Sequence, residues 1–212
     1  MIQWVYERAR EARFLENLII ATDDKKIFET ARSFGAEVRM TSSDHMSGTE
    51  RSAEIASQIA SSIIVNIQGD EPLLQSAMID DLVLTLQETS IPMATLAVRI
   101  KDLNRFDNRD IVKVVKDRNN FALYFSRAAI PFGTKDFFWQ HIGIYGYQRD
   151  FLLSYPSLPA TCLETTEQLE QMRALENGFR IKIVETDFLT LSVDNPEDII
   201  KVEQRMKEKK HG

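Results

Sequence analysis

Ile64-Val65-Asn66-Ile67-Gln68-Gly69-Asp70-Glu71-Pro72 decides the fold. With Ile63 it starts as a continuous apolar run, the pattern of a strand buried on both faces. It ends abruptly in Gln-Gly-Asp-Glu-Pro. In open α/β sheets, ligands bind beyond the carboxyl ends of strands. Gly69 permits close backbone approach, and Asp70 offers a hard oxygen suited to magnesium. A surface turn uses the same residue types, so this segment alone leaves both readings open.

Working outward, the flanks repeat the theme. Ile2, Val5, Ala9 and Ala12 form one face of an N-terminal helix. Leu18–Ala21 is a short buried strand, and Ile27, Phe28, Ala31 and Phe34 lie on a helix stopped by Gly35. A strand over 37–40, turn chemistry at 41–48 and a helix to about Ala60 lead into the central segment. A helix near 76–88 and a strand over 93–100 follow it. This alternation predicts an α/β fold with a mostly parallel, Rossmann-like sheet. The rhythm then changes. Strands 111–115 and 121–125 flank Asp117-Arg118-Asn119-Asn120, a hairpin signal, and 141–148 is a glycine-notched strand. We read roughly residues 105–160 as a smaller, partly antiparallel insertion within one unit spanning 1–212. A helix over 165–177, strands 181–184 and 189–193, and an amphipathic helix over 196–210 complete the chain.

Composition narrows the function. Hydrophobic residues make up 43% and charged residues 27% of the 212, an ordinary globular balance. The net charge of -6 argues against nucleic-acid binding, which needs clustered Lys and Arg. A local basic pocket for an anionic small molecule is compatible with that charge. The single Cys162 forms no internal disulfide and fits a cytoplasmic protein. No apolar run approaches the roughly 20 residues of a membrane helix, and the first residues lack a signal peptide's apolar stretch. His45, His141 and His211 lack the spacing of a zinc site.

Five further segments carry possible chemistry. Leu189–Asp198 ends a strand at Asp194 before a helix. Asp194 or Asn195 would cap that helix, yet Asp70 and Asp194 together are what a magnesium–triphosphate site uses. Ser47-Gly48-Thr49 precede a helix and could meet an anion or a base, or simply cap it. Arg127 has a guanidinium fork suited to a carboxylate, or is a solvated surface arginine. His141 and Tyr145, four apart on a strand, face one side. Glu167, Glu170 and Arg173 share a helix face, which pattern alone reads as solvated.

These segments, DHMSGTER, VNIQGDEP, MATLAV, VKVV, ALYFSRAAIP, HIGIYGY, EQLEQMRAL and VDNPED, together resemble the 3-deoxy-manno-octulosonate cytidylyltransferases, or CMP-KDO synthetases, over essentially the whole chain. The resemblance implies a nucleotidyltransferase that joins CTP and the eight-carbon sugar acid KDO into CMP-KDO, releasing pyrophosphate, for lipopolysaccharide synthesis. It implies Mg²⁺ held by Asp70 and Asp194. It places Gln68, Ser47, Gly48 and Thr49 on the cytidine side, and Arg127, His141, Tyr145, Glu170 and Gln171 on the sugar side. It also implies a cytoplasmic homodimer, with the 8-amino analogue of KDO as an alternative substrate.

One departure stands out. The family opens with a strand and a P-A-R-x-x-S-x-R-x-P-x-K-P loop around the triphosphate, whereas Met1-Ile2-Gln3-Trp4 matches the helix after it, roughly thirty residues on. From this we expect strands 18–22 and 63–68 to lack a common neighbour, and activity of this chain to be weak or absent. The competing expectation is a non-catalytic remnant that binds CMP or the sugar acid.

Overall fold

A computed structural model describes residues 1–88, 90–193 and 195–208. In chain order its elements are α1 (Ile2–Ala9), β1 (Ile19–Thr22), α2 (Lys25–Ser33), β2 (Glu37–Met40), α3 (Gly48–Ser57), β3 (Ile63–Asn66), α4 (Ser76–Gln87) and β4 (Met93–Ile100). They continue as β5 (Lys113–Lys116), β6 (Ala122–Ser126), β7 (Phe138–Gln148), α5 (Arg149–Ser154), α6 (Cys162–Glu167), α7 (Gln171–Glu176), β8 (Ile181–Thr186) and α8 (Pro196–Glu208). Among the described residues, no helix is long and apolar enough to cross a membrane.

The class is α/β, as the strand–helix alternation predicts, but the pairing is more mixed. A six-stranded sheet runs β6-β5-β7-β4-β8, with β3 added on β7. Within it β4–β8 is parallel, while β7 is antiparallel to β3, β4 and β5. The reason is the length of β7, whose 11 residues reach all three neighbours. The hairpin expected at 117–120 joins β5 to β6, with Asn120 left-handed at φ 60°.

Strand β4 shows why Met-Ala-Thr-Leu-Ala-Val reads as uninterrupted apolar sequence. Met93 and Ala97 face a core built with α3, α5 and α7. Ala94, Leu96, Val98 and Ile100 face the opposite core, under α1 and α4. Burying each large aliphatic side chain there contributes about 1.5–3 kcal/mol. Gly146 of β7 lets α4 settle close: a β-carbon there would come within 2.7 Å of Leu86 Cδ1.

Strands β1 and β2 pair in parallel as a separate two-stranded sheet. Strands β1 and β3 therefore share no neighbouring strand among the described residues. Between them lies a cleft of about 610 Å³, lined by Ile19, Ile20, Ile63 and Val65 and, at one end, by Ser47, Gly48, Asn66 and Gln68.

Two elements differ from the sequence-based expectation. The helix expected over 165–177 is two short helices, because Gln168 adopts the left-handed conformation at φ 54° and turns the chain between α6 and α7. Residues 189–193 form no strand. Their backbone instead reaches the turn after β3, where the Val193 N–H donates to the Asp70 carbonyl at 3.0 Å.

Candidate active site

The site begins where β3 ends. The Glu71 N–H donates to the Gln68 carbonyl and the Leu74 N–H to that of Glu71, so Gln68–Leu74 is a tight turn leading to α4. The bond from Val193 brings the last described residue before Asp194 against Asp70. Asp194 itself lies outside the described residues, as does His211. The cap of α8 is legible without it. Asn195 sits just before the helix, and its backbone N–H donates to Asp198 Oδ2 at 3.1 Å, the reciprocal half of a capping box.

The first turn of α3 faces the same strand end. Ser47 is its cap, with Oγ accepting from the Glu50 N–H at 3.2 Å. The capped-helix reading is therefore correct, and it coexists with a packing constraint. A β-carbon on Gly48 would lie 3.1 Å from Gln68 Nε2 and 3.3 Å from Asn66 Nδ2. Glycine lets two strand-end amides approach the helix start.

Strand β7 supplies the floor. Tyr145 stands opposite Asn66 on one side and Thr95 on the other. Paired antiparallel residues project to the same face, so these three side chains share it. The Tyr145 hydroxyl donates to Gln171 Oε1 at 3.0 Å, tying β7 to α7. Two residues on, the Tyr147 hydroxyl and Thr49 Oγ1 are 2.9 Å apart, tying β7 to α3. Burial pushes both phenols upward, so they remain protonated.

His141 lies across an irregularity in the β4–β7 register, with its ring centroid 5.5 Å from that of Tyr145. Its Nε2 is 3.0 Å from Thr95 Oγ1. That hydroxyl donates to the Ile142 and Ile144 carbonyls, so Nε2 must carry the proton and Nδ1 is the acceptor nitrogen. Burial lowers the imidazole pKa to about 3. It is a neutral hydrogen-bonding group rather than a cation.

Arg127 is neither a solvated arginine nor isolated. Its Nε donates to the Glu167 carbonyl at 3.1 Å and its Nη1 to the Arg109 carbonyl at 3.3 Å. The Glu167 carboxylate accepts from the Tyr124 hydroxyl, the Ser126 hydroxyl and the Arg127 N–H. The solvated-face reading of this helical segment fails for Arg173 too. That side chain is 13% exposed and pairs with Glu164 and Glu50, joining α7 and α6 to the first turn of α3.

Glu170 completes the ring. Burial raises its carboxyl pKa, while the hydroxyls of Ser47 and Thr49 and the Thr49 amide oppose the shift. Its Oε2 has no hydrogen-bond partner among the described residues, and the same holds for Gln171 Nε2 and Asn66 Nδ2. Of the residues the sequence reading placed on the sugar side, Glu170 meets Ser47 and Thr49 at the first turn of α3, Tyr145 meets His141 and Gln171, and Arg127 is bonded instead to the Glu167 and Arg109 carbonyls. Lys113 escaped that reading. It is fully buried, and its Nζ donates to the carbonyls of Asn108, Ile111 and Arg127 at 2.6–2.8 Å. A lysine inside the apolar run Val-Lys-Val-Val was the available signal.

A strand-end carboxylate turn, an amide-lined helix start and a wall of hydroxyl, amide and carboxyl groups on an α/β sheet define a nucleotidyltransferase. Residues 1–183 match the family described as cytidylyltransferase. A 3-deoxy-manno-octulosonate cytidylyltransferase of Solibacter usitatus is 52% identical over 212 residues, covering 98% of this chain and 84% of that protein. One of Geobacter sulfurreducens is 46% identical over 222 residues, covering 98% and 89%. A solved structure of a CMP:2-keto-3-deoxy-manno-octonic acid synthetase complexed with CTP superposes with a TM-score of 0.92 at 35% identity, covering 98% of this chain and 88% of that one. The chain belongs to the 3-deoxy-manno-octulosonate cytidylyltransferase family.

Proposed function

We propose that this chain transfers CMP from CTP to 3-deoxy-manno-octulosonate. The carrying observation is the convergence of Ser47–Thr49 and Gln68 with Tyr145, Glu170 and Gln171 at one strand end. The sugar's anomeric hydroxyl oxygen forms a new bond to the α-phosphorus. The bond to the β-phosphate bridging oxygen breaks, its electron pair leaves with pyrophosphate, and the hydroxyl proton is released to solvent. No covalent enzyme intermediate is needed, so the residues act by positioning and by meeting developing charge. The cytidine side is Gln68, Ser47, Gly48 and Thr49. The sugar side is Arg127, His141, Tyr145, Glu170 and Gln171, with the guanidinium directed to the carboxylate.

Asp70 and Asp194 are the residues to hold magnesium. The donor chemistry fits: hard oxygens from one or two carboxylates, completed by substrate phosphates. Bound there, the ion would offset phosphate charge.

The whole chain is taken as one catalytic unit with its lobe at about 105–160. Fully exposed Phe132 and largely exposed Leu123 on that lobe support a homodimer through it. We place the reaction in the cytoplasm.

The test is pyrophosphate release from CTP and magnesium with KDO, run beside its 8-amino analogue and a nine-carbon sugar acid. Of the three acids, KDO is expected to support the fastest turnover, at the weak level expected of this chain. Turnover only with another acid would reassign the substrate. Tight CMP or sugar-acid binding without turnover would favour the non-catalytic reading.

A further inference from the structure

We infer that Asn66 contacts the phosphoryl group in flight, as a donor to a non-bridging oxygen of the α-phosphate. This rests on the cytidylyltransferase reading above. Asn66 ends β3, is 9% exposed, and its Nδ2 has no hydrogen-bond partner among the described residues. Leaving a buried amide donor unmade costs about 1–3 kcal/mol, so such a group calls for an explanation. The amide lines the cleft with Ser47, Gly48 and Gln68.

Its position between two sets of groups identifies the acceptor. On one side, Asn66 Nδ2 and Gln68 Nε2 lie 3.3 Å and 3.1 Å from a common point, the β-carbon position of Gly48. These are the cytidine-side residues and a helix start, whose N–H groups favour anions. On the other side its cross-strand neighbour is Tyr145, bonded to Gln171 on the sugar side. The two substrates meet at the α-phosphorus of CTP, which the sugar hydroxyl attacks. A neutral amide suits it: it donates to an oxygen that gains charge as the anhydride breaks, and it adds no cation to bind the ground state more tightly.

The test compares wild type with Asn66→Asp, the same shape without the N–H donors, and Asn66→Ala. Circular dichroism and melting temperature report folding, and kcat is measured with separate KM values for CTP and KDO. Loss of a transition-state donor predicts a kcat fall on the order of 10²-fold in both variants, with each KM of the uncharged Asn66→Ala moving less than about threefold. If Asn66→Asp does not fold, Asn66→Ala, which introduces no charge, decides. A raised KM for CTP at unchanged kcat overturns the inference, since the amide would then serve only ground-state nucleotide binding. Unchanged kinetics overturn it in favour of a packing role. A wild type that turns over CTP and KDO while the variants match it sinks this inference alone. A wild type that neither binds nor converts them sinks the functional reading and this inference with it.

Discussion

The Val193 amide donates to the Asp70 carbonyl at 3.0 Å, joining the turn after β3 to a segment 123 positions later in the chain. In the sequence, Asp70 lies in that turn and Asp194 directly follows Val193. The bond is between backbones, so it sets the spacing of Asp70 and Val193 whatever their side chains do. Replacing Asp70 by Asn keeps that bond and removes one charge. We expect Asp70→Asn to fold and to lose at least about 10²-fold in kcat. Its rate should also saturate at a higher magnesium concentration, measured by titrating the metal against pyrophosphate release.

Arg127 is held by the Glu167 and Arg109 carbonyls, beside the start of α7 that carries Glu170 and Gln171. Arg127→Ala should therefore raise the KM for the sugar acid by about tenfold or more while the KM for CTP changes little. Equal changes in both would reject its placement on the sugar side.

Gly48 is constrained by two amides rather than by its own backbone conformation. Gly48→Ala puts a methyl 3.1 Å from Gln68 Nε2 and 3.3 Å from Asn66 Nδ2. The amides must give way by a few tenths of an ångström. Weakened CTP binding by calorimetry is the expected outcome, with a melting temperature close to that of the parent.

His141 makes stability depend on pH. Its folded pKa is about 3 because burial disfavours the cation, against an ordinary 6.5 in the unfolded chain. A base whose pKa is depressed on folding binds fewer protons folded than unfolded between those values. Stability is thus full above pH 6.5 and falls as pH drops toward 3, by up to about 1.4 kcal/mol per pH unit. Urea melts at pH 7 and pH 5 should show the loss, and His141→Gln should shrink it. An unchanged slope in the variant would locate the proton uptake elsewhere.

The Tyr145 hydroxyl donates to Gln171 Oε1 across the β7–α7 contact. Tyr145→Phe leaves Gln171 Oε1 without that donor, at an expected cost of about 1–3 kcal/mol in denaturant melts.

Much of this was readable from local chemistry. Ile63–Ile67 announces a strand, but the burial on both faces that its apolar run predicts is not met: Ile63, Ile64 and Val65 are half-buried, because among the described residues β3 pairs only with β7 and lines the cleft. The 117–120 turn and the stops at Gly35 and Gly178 follow from backbone preferences of a few residues, and all three glycine or asparagine positions, Gly35, Asn120 and Gly178, have positive φ. The candidate site residues came from the family resemblance rather than from local chemistry, which left a bland reading open at each of them. Short-range patterns could not settle what depends on distant partners. Gln168 breaks an otherwise periodic helical segment through a single left-handed residue, while Leu189–Val193 has strand-like composition and yet spends its Val193 N–H on the Asp70 carbonyl. Lys113 has the composition of a surface residue, and only the meeting of the 108–111 turn with the end of β6 gives its ammonium three carbonyls in a fully buried place. Tertiary structure decided these because a buried charge or an unpaired N–H is tolerated only when a partner arrives from elsewhere in the chain.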